Sequence, residues 1–330
     1  MTDKSRIIAA NAAGIAEAIA VLRAGGIAAV PTETVYGLAA RAADAGAVAR
    51  IYTAKSRPSF NPLIVHVSGA AQAGELVNID AVAERLMAAF WPGALTLVLP
   101  LKAGADVAAL VTAGLPTLAV RCPAHPVMQA LIAGAGPLAA PSANASGRIS
   151  STMAAHVAAT LAGRVGLILD GGAAAEGVES TIVAVAAGEW RVLRPGAVAV
   201  EAILAVMGAP SPDTAKAPRP TSPRAAGDAF ASGGDVVAPG MMASHYAPLQ
   251  TVRLGALTAR ADEFHIGFGA VAGDANMSAS GDVVAAAARL FALLHAAEAS
   301  GRAGIAVAPV PETGLGAAIN DRLRRAAAPR

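Results

Sequence analysis

Arg121 ends an apolar run, 117–121, directly ahead of Cys122 and Pro123. A charge in such a place is costly unless it meets a carboxylate or an anionic ligand. A second cationic block, Lys55-Ser56-Arg57, is followed by Pro58 and closes a helix that starts near Asp44. Dipole compensation alone accounts for cations at a helix C-terminus. A lysine and a forked guanidinium projecting into the crevice beside the run 63–67 also suit a polyphosphate. Three further polar blocks border apolar runs: Pro31-Thr32-Glu33-Thr34-Val35-Tyr36-Gly37-Leu38, Pro141-Ser142-Ala143-Asn144-Ala145-Ser146-Gly147 and Glu179-Ser180-Thr181. Turn and cap chemistry explains any one of them. In open α/β sheets, however, ligands bind in the crevice beyond the strand ends, so blocks recurring there are expected to converge on one pocket. His66 shares a side of its run with Ile64 and Ser68, either as a satisfied core histidine or as part of that pocket. Cys122 reads as a small buried hydrophobe, because no activating base can be assigned to it.

From residue 11 to about 208, helical periods alternate with short β-branched runs, the pattern of a mixed α/β layer fold. Strands are expected over 27–31, 63–67, 95–99, 117–121, 138–141, 165–169, 181–185 and 190–193, enough for one large sheet. Ile15, Ile19 and Leu22 fall at helical spacing between a capping Asn11 and a Gly25-Gly26 stop, and further helices start near Asp44, Ile79, Pro126, Thr152 and Val200. Between 209 and 248 prolines sit among Gly, Ser and Ala without apolar periodicity, which reads as a linker. Strands over 251–254, 264–268 and 305–307 and helices over 282–299 and 314–325 then make a second, small α/β domain, 249–330, after a first domain of 1–208.

Hydrophobic residues make up 55% of the chain, much of it alanine, which adds little burial energy. The longest stretch without Asp, Glu, Lys or Arg, 122–147, is interrupted by four prolines, whereas a spanning helix needs about 20 consecutive apolar residues. Glu17 and Arg23 interrupt any signal-peptide core behind Lys4 and Arg6. One cysteine excludes a disulfide framework or a cysteine-rich zinc site, and a cytoplasmic protein is expected. The net charge of +2 is spread evenly, which gives no dedicated nucleic-acid footprint. There is no Gly-rich loop ending in Gly-Lys-Ser/Thr, no His-Glu-x-x-His, no Gly-x-Ser-x-Gly and no Gly-x-Gly-x-x-Gly after a strand, so P-loop, zincin, α/β-hydrolase and dinucleotide-binding readings lose their support.

In this order, Pro-Thr-Glu-Thr-Val-Tyr-Gly-Leu, Lys-Ser-Arg-Pro and Pro-Ser-Ala-Asn-Ala-Ser-Gly resemble the threonylcarbamoyl-AMP synthase family, whose catalytic module is the YrdC-like domain. Leu193-Arg194-Pro195-Gly196, Pro239-Gly240-Met241, His245-Tyr246-Ala247-Pro248 and the segment from Gly314 to Leu323 are similar to its long, two-domain form. Met242, Ala243 and Ser244 stand where the family usually carries basic residues. The resemblance implies a large, mixed, twisted sheet with helices and a Rossmann-like C-terminal domain. It also implies a nucleotidyltransferase that joins L-threonine, bicarbonate and ATP into L-threonylcarbamoyladenylate with release of pyrophosphate, the product going to a tRNA-modifying threonylcarbamoyltransferase. It assigns Thr34, His66, Arg121, Ser142 and Ser180 to threonine. Arg57, Asn61, Thr117, Asn144, Thr152, Arg194 and Tyr246 are assigned to ATP, with Lys55 as a further phosphate contact. Lys55, Arg57 and Arg121 are the expected catalytic cations, and Mg2+ is expected on the triphosphate rather than on a carboxylate cluster. A linker of roughly 40 residues exceeds the ordinary loop range and is expected to lie across the crevice as a lid. Three other readings compete: an RNA-binding module, carbamoyl transfer for metallocofactor maturation, against which the lone cysteine argues, and a regulatory C-terminal domain.

Overall fold

The computed structural model describes residues 5–208 and 244–329. The expected linker lid, with Pro239-Gly240-Met241, Met242 and Ala243, falls outside the described residues over 209–243. Ten strands build the first sheet: β1 (Arg6–Ala9), β2 (Ala28–Val30), β3 (Gly37–Arg41), β4 (Ile64–His66), β5 (Leu95–Pro100), β6 (Thr117–Arg121), β7 (Leu138–Ala139), β8 (Leu167–Asp170), β9 (Thr181–Ala186) and β10 (Glu189–Arg194). Their order is β1-β8-β2-β3-β7-β4-β6-β5-β9-β10, with parallel and antiparallel neighbours mixed, as expected. Two strands had no clear signal in the sequence. β1 is a short, largely exposed edge strand, and β3 lies in the alanine-rich continuation of a polar block, where pairing with β2 and β7 overrides weak strand propensity.

Side-chain alternation divides the sheet. Leu63, Val65, Val67, Leu97, Leu118 and Val120 belong to the main apolar core. Ile64, Val98, Ala119, Ile182 and Ala184 form a smaller apolar cluster. Counting by twos along each strand puts His66, Thr96 and Arg121 with that second set. In register, His66 lies opposite Arg121 and Arg121 opposite Thr96, so three polar side chains form one row across β4, β6 and β5.

Helix caps fix where the connecting chain enters the sheet. Asn11, Asp44 and Asp80 each accept a backbone N–H from the first helical turn at 2.9–3.0 Å. The helix Ala45–Lys55 ends on Ser56, which adopts a left-handed conformation with φ 51°, and the Arg57 N–H then bonds the Tyr52 carbonyl at 2.9 Å. This cap turns Arg57 back toward the sheet.

The second sheet contains β11 (Thr251–Arg253), β12 (Glu263–Gly267), β13 (Ala275–Asn276) and β14 (Gly304–Val307), all parallel, in the order β11-β14-β12-β13. Helices Val283–Ala299 and Leu315–Ala327 complete it. Loops of the first domain share a core with the second, in which Val35, Ile149, Val178 and Tyr246 pack with Phe291, Leu294 and Leu323. At Gly177, with φ +70°, a Cβ would lie 2.4 Å from the Ala288 Cα, so only glycine permits this close approach. No helix among the described residues is long and apolar enough to cross a membrane.

His156 and His295 stack across the same contact with ring centroids 4.0 Å apart. Burial, reinforced for His156 by His295, lowers both imidazoles to about 4. Unfolded histidines take up protons from about 6.5 downward. The unfolded chain therefore binds more protons between these values, and stability is full above about 6.5 and declines as the pH falls toward 4. Thermal melts across that window should show a falling midpoint, and the slope should shrink in His295→Gln; an unchanged slope would contradict the pairing.

Candidate active site

His66 and Arg121, two members of that row, border a cleft between the strand ends and the loops. Thr34, Arg57, His66, Arg121, Ser142, Ser180, Arg194 and Tyr246 all border it, so most of the residues singled out in the sequence meet in one place. Arg121 is 3% exposed. Its Nε donates to the Gly93 carbonyl at 3.1 Å and Nη1 to the Thr34 hydroxyl at 2.8 Å, while Nη2 lies 2.6 Å from a Glu33 carboxylate oxygen. Burial pushes the Glu33 carboxyl up, but Arg121 and the Ala124 N–H outweigh it and hold it below its ordinary value. Glu33, which had no assignable role in the sequence, is thus the counter-charge that the position of Arg121 demanded.

Beyond Arg121 the row reaches Ser180 through Thr96, whose hydroxyls are 2.7 Å apart. Thr96 escaped the sequence reading. The one signal for it was a hydroxyl alternating with Leu95 and Leu97 in an otherwise apolar strand. His66 is fully desolvated, which lowers its imidazole to about 3, with Arg121 adding to the effect. It is neutral at physiological pH, and its Nδ1 has no hydrogen-bond partner among the described residues.

On the other side, Arg57 uses Nε and Nη2 to hold the carbonyls of Asn61 and Pro62 and the Asn61 side chain at 2.6–3.1 Å. Burial pushes its guanidinium down to about 10. Arg194 reaches the Ser180 carbonyl at 2.7 Å. Tyr246 is buried with its hydroxyl lacking a partner among the described residues. Its neighbour His245 is driven far below 6.5, first by burial and then by Arg57, Lys55, Arg194 and Arg322. The four cations thus add to what burial alone begins.

Lys55 departs from expectation, because it does not border the cleft. Its ammonium is buried and donates to the carbonyls of Ser142 and Asn144, both at 2.5 Å. It therefore pins the loop that carries those residues instead of projecting outward. Asn61, Asn144, Thr152 and Thr117 also lie outside the lining. Asn144 holds the same loop through the Ala145 and Arg148 carbonyls, with its Oδ1 lacking a partner among the described residues. The Thr152 hydroxyl sits 3.3 Å from His156 Nδ1. Thr117 begins β6, about 13 Å along the strand from Arg121.

Comparison with known proteins identifies the family. A family model for Sua5, YciO and YrdC, described as "Telomere recombination", matches residues 20–196, and one for the C-terminal domain of threonylcarbamoyl-AMP synthase matches 198–328. The chain is 45% identical over 248 residues to threonylcarbamoyl-AMP synthase of Bacillus subtilis, covering 74% of this chain and 68% of that one. It is 39% identical to the enzyme of the same name from Pyrococcus abyssi, over 92% and 91% of the two chains. The crystal structure of P. abyssi Sua5 complexed with L-threonine superposes with a TM-score of 0.82 at 37% identity, covering 95% of this chain and 94% of that one.

If Lys55 pins the loop, Lys55→Met keeps the volume but strands two buried carbonyls, and should destabilise the chain by about 3 kcal/mol in urea unfolding. Stability equal to the parent would mean that the ammonium points to solvent.

Proposed function

The chain belongs to the threonylcarbamoyl-AMP synthase family, and from that premise we propose that its cleft joins L-threonine, bicarbonate and ATP into L-threonylcarbamoyladenylate, releasing pyrophosphate. The observation that carries this reading is the meeting of Arg57, Arg121 and Arg194 in one cleft with a single bordering carboxylate among the described residues, Glu179. A low-dielectric cleft with that balance favours a polyanion.

Arg121 takes the threonine carboxylate. Thr34 and Glu33 use part of its fork and fix the plane of the rest. Ser180, oriented by Thr96, and Ser142 take the remaining polar groups of threonine. Valine lacks the hydroxyl that these polar groups meet and is bound less well. The neutral His66 offers Nδ1 as an acceptor to the amino acid. Arg57, Arg194 and Tyr246 face the nucleotide, while Asn61, Thr117, Asn144 and Thr152 extend its site beyond the cleft. Lys55 contributes by holding Ser142 and Asn144.

The amine of threonine condenses with bicarbonate with loss of water, or adds to carbon dioxide with loss of a proton, to give a carbamate. A carbamate oxygen then attacks the α-phosphorus of ATP, and pyrophosphate departs. Both attacking and leaving groups are anionic, so the rate rests on alignment and on cations around the phosphates. Magnesium enters with the triphosphate; Glu33 and Glu179 are each committed to an arginine and do not make a cage for it. The product, a reactive mixed anhydride, goes to a tRNA-modifying threonylcarbamoyltransferase in the cytoplasm.

Pyrophosphate release should require ATP, L-threonine and bicarbonate together, and release with threonine or bicarbonate omitted would contradict the reaction. Arg121→Lys keeps the charge but loses the fork, and should raise the KM for threonine on the order of tenfold with the KM for ATP little changed. Steady-state kinetics with each substrate varied in turn checks the split.

A further inference from the structure

Glu179 is misplaced for a cleft that takes a triphosphate. It borders the cavity beside Ser180 and Arg194. Burial would raise its carboxyl, but Arg322 and Arg194 hold it below the ordinary value, so it is ionised. An ionised carboxylate on that wall repels phosphate unless another charge cancels it.

The cancelling charge comes from the other domain. Arg322 lies on the helix Leu315–Ala327 and is completely buried. Its Nε donates to Glu179 Oε2 at 2.7 Å, and the Ser150 hydroxyl donates to the other carboxylate oxygen at 2.5 Å. Nη1 donates to Asp321 at 2.6 Å and to the Pro195 carbonyl at 3.0 Å. The guanidinium carbon sits 5.1 Å from the centre of the Tyr246 ring, within cation–π range. One turn on, the Arg325 carbonyl accepts the His245 N–H at 3.2 Å. One helix therefore backs the acid that borders the cleft and the two aromatic side chains that enter it. An ammonium could not serve Glu179, Asp321, Pro195 and the ring face at once, whereas a planar fork does.

We propose that Arg322 is a positioning residue for the reaction: it neutralises Glu179 and supports Tyr246 from behind, so that the C-terminal domain completes the nucleotide half of the active site. The proposal rests on the ATP-binding reading above. It gives residues 249–329 a part in the chemistry, in place of a purely regulatory one.

The test is calorimetric titration of the full-length chain with MgATP, together with steady-state kinetics. Arg322→Met should weaken MgATP binding at least about tenfold and raise the KM for ATP more than it lowers kcat. Adding Glu179→Gln to that variant should recover most of the loss, because the carboxylate that needed cancelling is gone. Unimpaired binding by Arg322→Met would overturn the proposal. So would a double variant no better than the single one, since packing alone is not rescued by removing a charge. Where Arg322→Met does not fold, Arg322→Lys decides. A severalfold higher KM for ATP at nearly constant kcat supports the role, and parental kinetics overturns it. Failure of the parent chain itself to bind MgATP would instead remove the functional reading and this proposal together.

Discussion

Burying a guanidinium is tolerable only when its charge and its donors are met, and that requirement organises this molecule. Arg121 cannot sit at the end of an apolar strand without Glu33, so the loop that carries Glu33 must fold back over β6. The same loop delivers Thr34 to the guanidinium. Arg57 is satisfied by the carbonyls of the turn that follows it, and that turn leads into β4 and His66. Arg322 pairs with Asp321 on its own helix and reaches across a domain boundary to Glu179 and the Pro195 carbonyl. In each case the partner that makes burial acceptable also sets the geometry of a neighbouring group in the cleft.

The balance between anchoring and exposure differs among the cations. Arg57, Arg121 and Arg194 border open space with part of each guanidinium committed to the protein. Such groups are preorganised: they meet an anion without first losing rotamer freedom or surrendering a hydration shell. Lys55 lies at the other extreme, with its charge spent on two backbone carbonyls, and its effect reaches ligands through the loop it holds. The neutral histidines His66 and His245 complete the set: burial keeps them unprotonated, and the neighbouring cations reinforce it.

Much of the fold was legible because its signals are local. Asn11, Asp44 and Asp80 cap the helices that they precede, and the β-branched runs became strands close to where they were expected. β1 and β3 were hidden because an edge strand and an alanine-rich strand owe their existence to neighbours distant in sequence. The site was legible in its residue types and less so in its wiring. That Arg121 needed a counter-charge follows from its place in the chain, but that Glu33 supplies it depends on strand order. Thr96, Glu179 and Arg322 were unassigned for the same reason. Lys55 was placed in the cleft because a cation at a helix end ordinarily faces solvent, and here tertiary packing closed over it.

The row formed by His66, Arg121 and Thr96 has a consequence for how such a chain can vary over evolutionary time. The three side chains meet because β4, β6 and β5 are in register and point the same way. A single residue gained or lost within β6 would send Arg121 to the opposite surface of the sheet and bring an apolar neighbour into its place. Divergence in these strands can therefore proceed by exchange of one side chain for another, whereas changes of length are confined to the connections between them.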